Sequence, residues 1–140
     1  MKNPDKYIRQ YFYSTLNNIE VDDNTIKVYD YRVPQNDDFY ILMVNQSSEK
    51  VQDTKCDTLA YDCRITLDIV TRFHGKNAGS RLLADNIKEK VMNLTQNITI
   101  QNFELSNLNI SYPDDLYLIT DTQNIFRKLI IYEFKLNQNG

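Results

Sequence analysis

From Leu59 to Ile69 the chain alternates without interruption. Leu59, Tyr61, Cys63, Ile65, Leu67 and Ile69 are apolar, and Ala60, Asp62, Arg64, Thr66 and Asp68 stand between them. Successive side chains of a β-strand point to opposite faces, so a period of two held over this length specifies a long, half-buried strand with its odd positions inward. The segment runs on toward Arg72, well past the ~5–6 residues of an average strand. The register carries an expectation. Leu67→Asp should unfold the domain by burying a lone charge, whereas Asp68→Asn should be nearly neutral in an isolated subunit.

The other elements follow from capping and periodicity. Asn3 is an N-cap candidate with Pro4 in the first turn and Asp5 at the positive helix end. Ile8, Tyr11, Phe12, Thr15, Leu16 and Ile19 then keep helical spacing as far as Asn17-Asn18. Residues 21–25 read as a polar turn, and Ile26 to Val33 as a strand halted by Pro34. Phe39–Val44 is apolar at every position, the mark of a central strand covered on both faces. Residues 45–57 are polar and read as a loop or the tip of a long hairpin. After the Gly75–Gly79 break, Ser80 precedes a second helix with Leu83, Ile87, Val91 and Leu94 on one stripe. Ile98–Ile110 is β-like with a change of phase near Asn107, a bulge signal. Tyr112-Pro113-Asp114-Asp115 is a turn, Ile125–Leu136 the last strand, and 137–140 a short polar tail. The order α-β-β-β-α-β-β predicts one α+β domain over 1–140, a two-layer fold whose mixed, mainly antiparallel sheet packs on two helices.

Composition narrows the chemistry. The 140 residues carry 16 Lys and Arg against 19 Asp and Glu, a net charge of −3. That excludes the basic profile of a protein held to nucleic acid through phosphates. Ten tyrosines and six phenylalanines supply bulk that disordered chains lack. With three glycines there is little material for phosphate-cradling loops, and the single histidine supports no paired-His metal site. Cys56 and Cys63 make no disulfide framework. On one strand they lie roughly 20 Å apart at ~3.3 Å per residue, which reads as reduced thiols in a reducing compartment. No apolar run approaches the ~18 residues of a membrane span, and Met1–Asp5 has no signal-peptide character.

One pattern resembles an enzyme signature. Pro113-Asp114 followed by Glu133-Phe134-Lys135 is similar to the PD-(D/E)xK motif of Mg²⁺-dependent nucleases. Pro113-Asp114-Asp115 is equally a type I turn with proline at its second position, and Glu133 with Lys135 is equally a solvated charge pair on a strand. His74 reads as an exposed turn residue and Cys63 as a core thiol. No catalytic, cofactor or metal residue is assigned, and the chain is expected not to be an enzyme.

The opening helix Tyr7–Asn17, the Val33-Pro34 lead into Phe39–Val44, the strand Ile65–Arg72 entering a helix through Gly79-Ser80, and the Asp121-Thr122 turn into Phe126–Leu136 together resemble the phage tail-completion or tail-terminator family. The Asn-, Tyr- and Ile-rich bias also fits a ring protein of a crAss-like phage. The resemblance implies a structural virion protein at the head–tail junction, assembled in the host cytoplasm. It implies a cyclic homo-oligomer of six or twelve copies, with portal or connector and tail proteins as partners. DNA passes through such a ring without specific binding, and no membrane is involved. A non-viral oligomeric adaptor is the bland alternative. Ring closure needs two different matching surfaces. The strand ending at Arg72 and the 45–57 segment are the candidates, since strand edges pair readily between chains. Glu49, Lys50, Asp53, Lys55, Arg64, Arg72, His74 and Lys76 are the expected contact residues, joined by some of the surplus tyrosines.

Overall fold

Helix α1 (Pro4–Leu16) begins where its caps specify. The Asn3 side chain accepts a hydrogen bond from the Asp5 amide at 3.1 Å, and the helix ends at Asn17. The computed structural model describes residues 1–51, 59–75 and 78–139. In chain order α1 is followed by β1 (Ile19–Val21), β2 (Asn24–Tyr29), β3 (Phe39–Val51), β4 (Ala60–His74), α2 (Leu82–Leu94), β5 (Phe103–Ser111), β6 (Leu116–Ile119) and β7 (Gln123–Gln138). The molecule is thus mixed α+β, with two helices and a mixed sheet of seven strands. No described helix is long and apolar enough to cross a membrane.

The sheet runs β1-β2-β3-β4-β7-β5, with β6 added to the β5 side of β7. Only β2 and β3 run parallel; every other pairing is antiparallel. The alternating strand β4 lies at the centre. It pairs with β3 from Ala60 to Thr71 and with β7 from Ala60 to His74.

Several expectations change. Two short strands, β1 and β6, extend the predicted order. Residues 21–25 are the tip of the β1–β2 hairpin, where Asp22 and Asp23 both adopt positive φ (50° and 64°), as a tight hairpin turn requires. Strand β2 stops at Tyr29 rather than Val33. Residues 45–51, read as a loop or the tip of a long hairpin, continue β3 past a bulge between Val44 and Ser47, with Asn45 at φ 50°, as one arm of an antiparallel hairpin with β4. Backbone pairing with β4, not apolar burial, holds this polar arm. Asn137 and Gln138 extend β7 instead of forming a tail. The phase change near Asn107 is a true bulge, between Ser106 and Asn109, with Asn107 at φ 56°. Residues 52–57 of the predicted 45–57 segment lie outside the described residues.

One cluster forms the core. Ile8, Phe12 and Leu16 of α1 and Ile87 and Val91 of α2 meet Ile41, Met43, Ile65, Leu67, Ile69, Ile130, Tyr132 and Phe134 of the sheet. The odd positions of β4 face inward as the alternation specifies. Each fully buried aliphatic side chain contributes ~1.5–3 kcal/mol relative to exposure. Leu83 packs against the cluster and Leu94 is exposed, so Ala84 rather than Leu94 completes the stripe of α2. Thr95 forms a polar link inside, donating to the Val91 carbonyl at 2.8 Å. Its Oγ1 lies 2.8 Å from the Tyr132 hydroxyl, which donates in turn.

Candidate functional site

Residues that alternate with the core positions define the other side of the central strands. Three rows cross it in register: Val44, Thr66 and Ile131; Leu42, Asp68 and Leu129; Tyr40, Val70 and Arg127. Arg72 pairs with Ile125 in the next row. Leu42, Val44, Ile125, Leu129 and Ile131 are half-buried, and none belongs to the core cluster or packs against it. An antiparallel sheet with one solvated face ordinarily alternates apolar inward and polar outward. Here the outward positions of β3 and β7 are largely aliphatic. Phe39–Val44 is thus central in order, and on this side Tyr40 is buried and Leu42 and Val44 half-buried, while both helices pack on the opposite, core face.

Asp68 sits in the middle of this face with a side chain only 6% exposed, between Leu42 and Leu129. Arg127 neutralises it. Its Nε donates to Oδ1 and Oδ2 at 3.3 and 3.2 Å, and its Nη2 donates to Oδ2 at 2.6 Å. This hydrogen bonding, opposed by burial, raises the Arg127 pKa. Beside the pair, burial raises the Tyr40 phenol. Burial followed by the Asp37 hydrogen bond pushes Tyr29 up to about 12. The Thr66 hydroxyl and the Nε of Arg72 are buried there without a partner among the described residues.

The apolar surface continues onto β6. Leu116 and Leu118 pair with Arg127 and Ile125 and share their side of the sheet, while Tyr117 and Ile119 point to the other. All four are exposed, at 43, 65, 54 and 62% for Leu116, Tyr117, Leu118 and Ile119. Just before them, Asp115 accepts from Lys128 Nζ at 2.6 Å, and Asp85 of α2 holds the same nitrogen at 2.8 Å. Lys128 itself is buried and points inward. Burial lowers its pKa, but the two carboxylates outweigh that and leave it raised.

The predicted contact residues divide between the two ends of β4. Glu49 and Lys50 are exposed on the β3 arm, opposite Asp62 and Tyr61, and Arg64 lies nearby, opposite Ser47 and Glu133. Arg72 and His74 stand at the far end of β4, where His74 Nε2 is 2.9 Å from Asp38 Oδ1. At ~3.3 Å per residue, Arg64 and Arg72 are roughly 26 Å apart. Asp53, Lys55 and Lys76 lie outside the described residues. Because β4 is paired along both sides, it offers no open edge to a neighbouring chain. Among the described residues the open edges are those of β1 at one end of the sheet, of β5 and β6 at the other, and of β3 beyond Leu42, where β2 no longer pairs with it.

Glu133 and Lys135 share one side of β7 and line a surface depression with Asp62, Asn107 and Asn109. Asp114 is not among its lining residues. Among the described residues, no three His, Cys, Asp or Glu side chains are grouped to hold a metal ion. Cys63 is a buried free thiol; Cys56 lies outside the described residues.

Compared with known proteins, the sequence matches no family model and no curated relative. The site is defined by its geometry: an aliphatic sheet face centred on one neutralised carboxylate and bordered by an exposed apolar strand.

Proposed function

We propose that the chain is a structural, non-enzymatic subunit of a ring at the head–tail junction of a tailed phage, as its resemblance to tail-completion and tail-terminator proteins implies. In this reading the helices form one layer and the sheet the other, and the outer sheet face is where neighbouring subunits pack. One observation carries it: Leu42, Val44, Ile125, Leu129 and Ile131 are aliphatic, half-buried and apart from the core. A contiguous apolar surface of this kind marks an interaction site. Asp68 and Arg127 suit such a site, since a neutralised pair can be covered without leaving a lone charge.

The subunit joins six or twelve copies of itself and meets portal or connector proteins on one side and tail proteins on the other. DNA passes through the opening without specific binding. With −3 per chain, six copies carry −18 and twelve −36, so the wall repels phosphates rather than holding them.

Sedimentation equilibrium tests the reading. The expected species has six or twelve times the 16.6 kDa subunit mass. Leu129→Lys with Ile131→Lys should return it to monomer while the melting temperature stays close to that of the parent. A chain that remains monomeric at high micromolar concentration overturns the ring. A tight, salt-sensitive shift of duplex DNA in a gel overturns the passive channel.

A further inference from the structure

Between Lys90 and Arg127 the sequence contains no lysine or arginine, while Glu104, Asp114, Asp115 and Asp121 all fall inside that stretch. The same stretch builds β5 and β6, which together form one open edge of the sheet. Cations reach this edge only from other elements: Lys128 engages Asp115, Arg127 stands opposite Leu116 but is held by Asp68, Lys135 stands opposite Ser106, and Lys88 lies over the Tyr112 ring at 4.7 Å. Glu104, Asp114 and Asp121 have no ion-pair partner among the described residues. The centre of the edge, Leu116-Tyr117-Leu118-Ile119, is exposed on both faces. It lacks the charged side chains with which natural edge strands discourage pairing.

We propose that the outer edge of β6 takes an extended segment of a different protein, with apolar side chains in alternation and lysine or arginine at both ends. Backbone hydrogen bonds to the open edge supply affinity, and the apolar side chains pack on the exposed faces of β6. The flanking carboxylates select the partner by charge. A second copy of this chain is the wrong occupant. Antiparallel pairing of two β6 strands sets Asp114 against Asp121 twice. Of the other open edges among the described residues, β1 is itself acidic at Glu20, Asp22 and Asp23, and the β3 arm at 45–51 is polar and lacks the alternating apolar side chains that β6 takes. Like charges across a strand pair are destabilising. The inference does not require the ring, because a monomer presents the same edge.

The test uses the full chain and two synthetic peptides, Lys-Lys-Val-Thr-Val-Thr-Val-Lys-Lys and its counterpart with glutamate at every lysine. Fluorescence anisotropy at low salt should show the cationic peptide binding about tenfold or more tightly than the acidic one, with the difference shrinking as salt rises. Amide exchange at residues 116–119 should slow only when the cationic peptide is present. Asp114→Lys combined with Asp121→Lys, both at exposed positions, should reverse the preference. Failure of the cationic peptide to bind, equal binding of the two peptides, or exchange that slows with protein concentration alone overturns the proposal. Sedimentation of the same samples reads the ring separately.

Discussion

Arg127 reaches Asp68 diagonally across the sheet. Its direct partner on β4 is Val70, yet its guanidinium extends to the neighbouring row and holds both carboxylate oxygens of Asp68. The contact links residues 59 positions apart in sequence and settles how a charge is tolerated among Leu42, Leu129 and Val70.

The first prediction follows, and it replaces the expectation that Asp68→Asn is neutral. The amide keeps the shape but faces Arg127 without charge. Removing one partner of a fully buried pair costs ~3–5 kcal/mol. Arg127 is 43% exposed and solvated, which reduces the cost here to about 1–2 kcal/mol. Urea unfolding should place Asp68→Asn between the parent and Leu67→Asp, which buries a charge in the core and should prevent folding. Asp68→Leu combined with Arg127→Leu should recover most of the loss in an isolated subunit.

That correction shows where sequence reading stops. Alternation reports which side of a strand a residue occupies, and it placed the inward set of β4 correctly. It does not report that Arg127, Tyr40, Leu42 and Leu129 shield Asp68 on the other side. Local signals sufficed for both helices, for the turns within 21–25 and 35–38, and for the bulge at Asn107. They failed for β1, with three residues, and left the 45–51 arm between a loop and a hairpin tip, because Ser47, Ser48, Glu49 and Lys50 are held by pairing with β4 and by the Ser48 hydrogen bonds to Asp5 and Cys63 rather than by apolar burial. The signal for β6 was present but unused: four bulky apolar residues between Pro113-Asp114-Asp115 and Thr120-Asp121. The aliphatic outer face was also half visible, because Phe39–Val44 is apolar on both sides. Which side the helices cover depends on contacts that no short window contains.

The second prediction concerns the entry to α2. Gly79 has φ +77°, and a Cβ there would overlap the Phe73 ring. Phe73 in turn stacks near Phe39 and Phe126, with ring centroids 5.3 and 6.2 Å away, so it has little room to withdraw. Gly79→Ala should cost ~2–4 kcal/mol from left-handed strain and overpacking together. Gly75 also has positive φ, but its nearest neighbour is the Ala78 Cβ at 3.8 Å. Gly75→Ala should therefore cost only the strain, ~1–2 kcal/mol. Equal losses of melting temperature in the two variants would contradict the packing against Phe73.

The third prediction concerns the tie beneath β6. Lys128 joins Asp115, just before β6, to Asp85 on α2. Lys128→Met keeps the apolar stem and removes the tie. Hydrogen exchange should then quicken at residues 116–119 while the amides of β4 keep their protection, because β4 is paired on both sides and β6 on one. Uniform acceleration across the sheet would show that Lys128 supports the whole fold rather than this edge. The carboxylates also raise the folded-state pKa of Lys128, so its contribution is complete below the ordinary lysine value and disappears as pH rises through the raised one.

The last prediction uses Cys63 as an alkaline reporter. Burial, eased by the Ser48 hydroxyl at 3.5 Å and reinforced by the charges of Asp5 and Asp62, moves the thiol from 9.0 to about 11. The folded state therefore holds this proton more tightly than the unfolded chain does. Stability from it is complete below pH 9 and declines between pH 9 and about 11, as the unfolded thiol ionises and the folded one does not. At ~1.4 kcal/mol per unit the loss approaches 2–3 kcal/mol. Tyr29 adds a loss of the same sign at higher pH, so the thiol must be isolated by comparison. In a Cys56→Ser background, urea unfolding followed from neutral pH into this range should decline more steeply with Cys63 present than in Cys63→Ala. The alanine variant should carry only a constant penalty for its smaller side chain. Iodoacetamide should label Cys63 slowly in the folded protein and rapidly in urea, since the thiolate is the nucleophile. Parallel pH profiles for the two proteins would mean that the thiol ionises as freely in the fold as outside it.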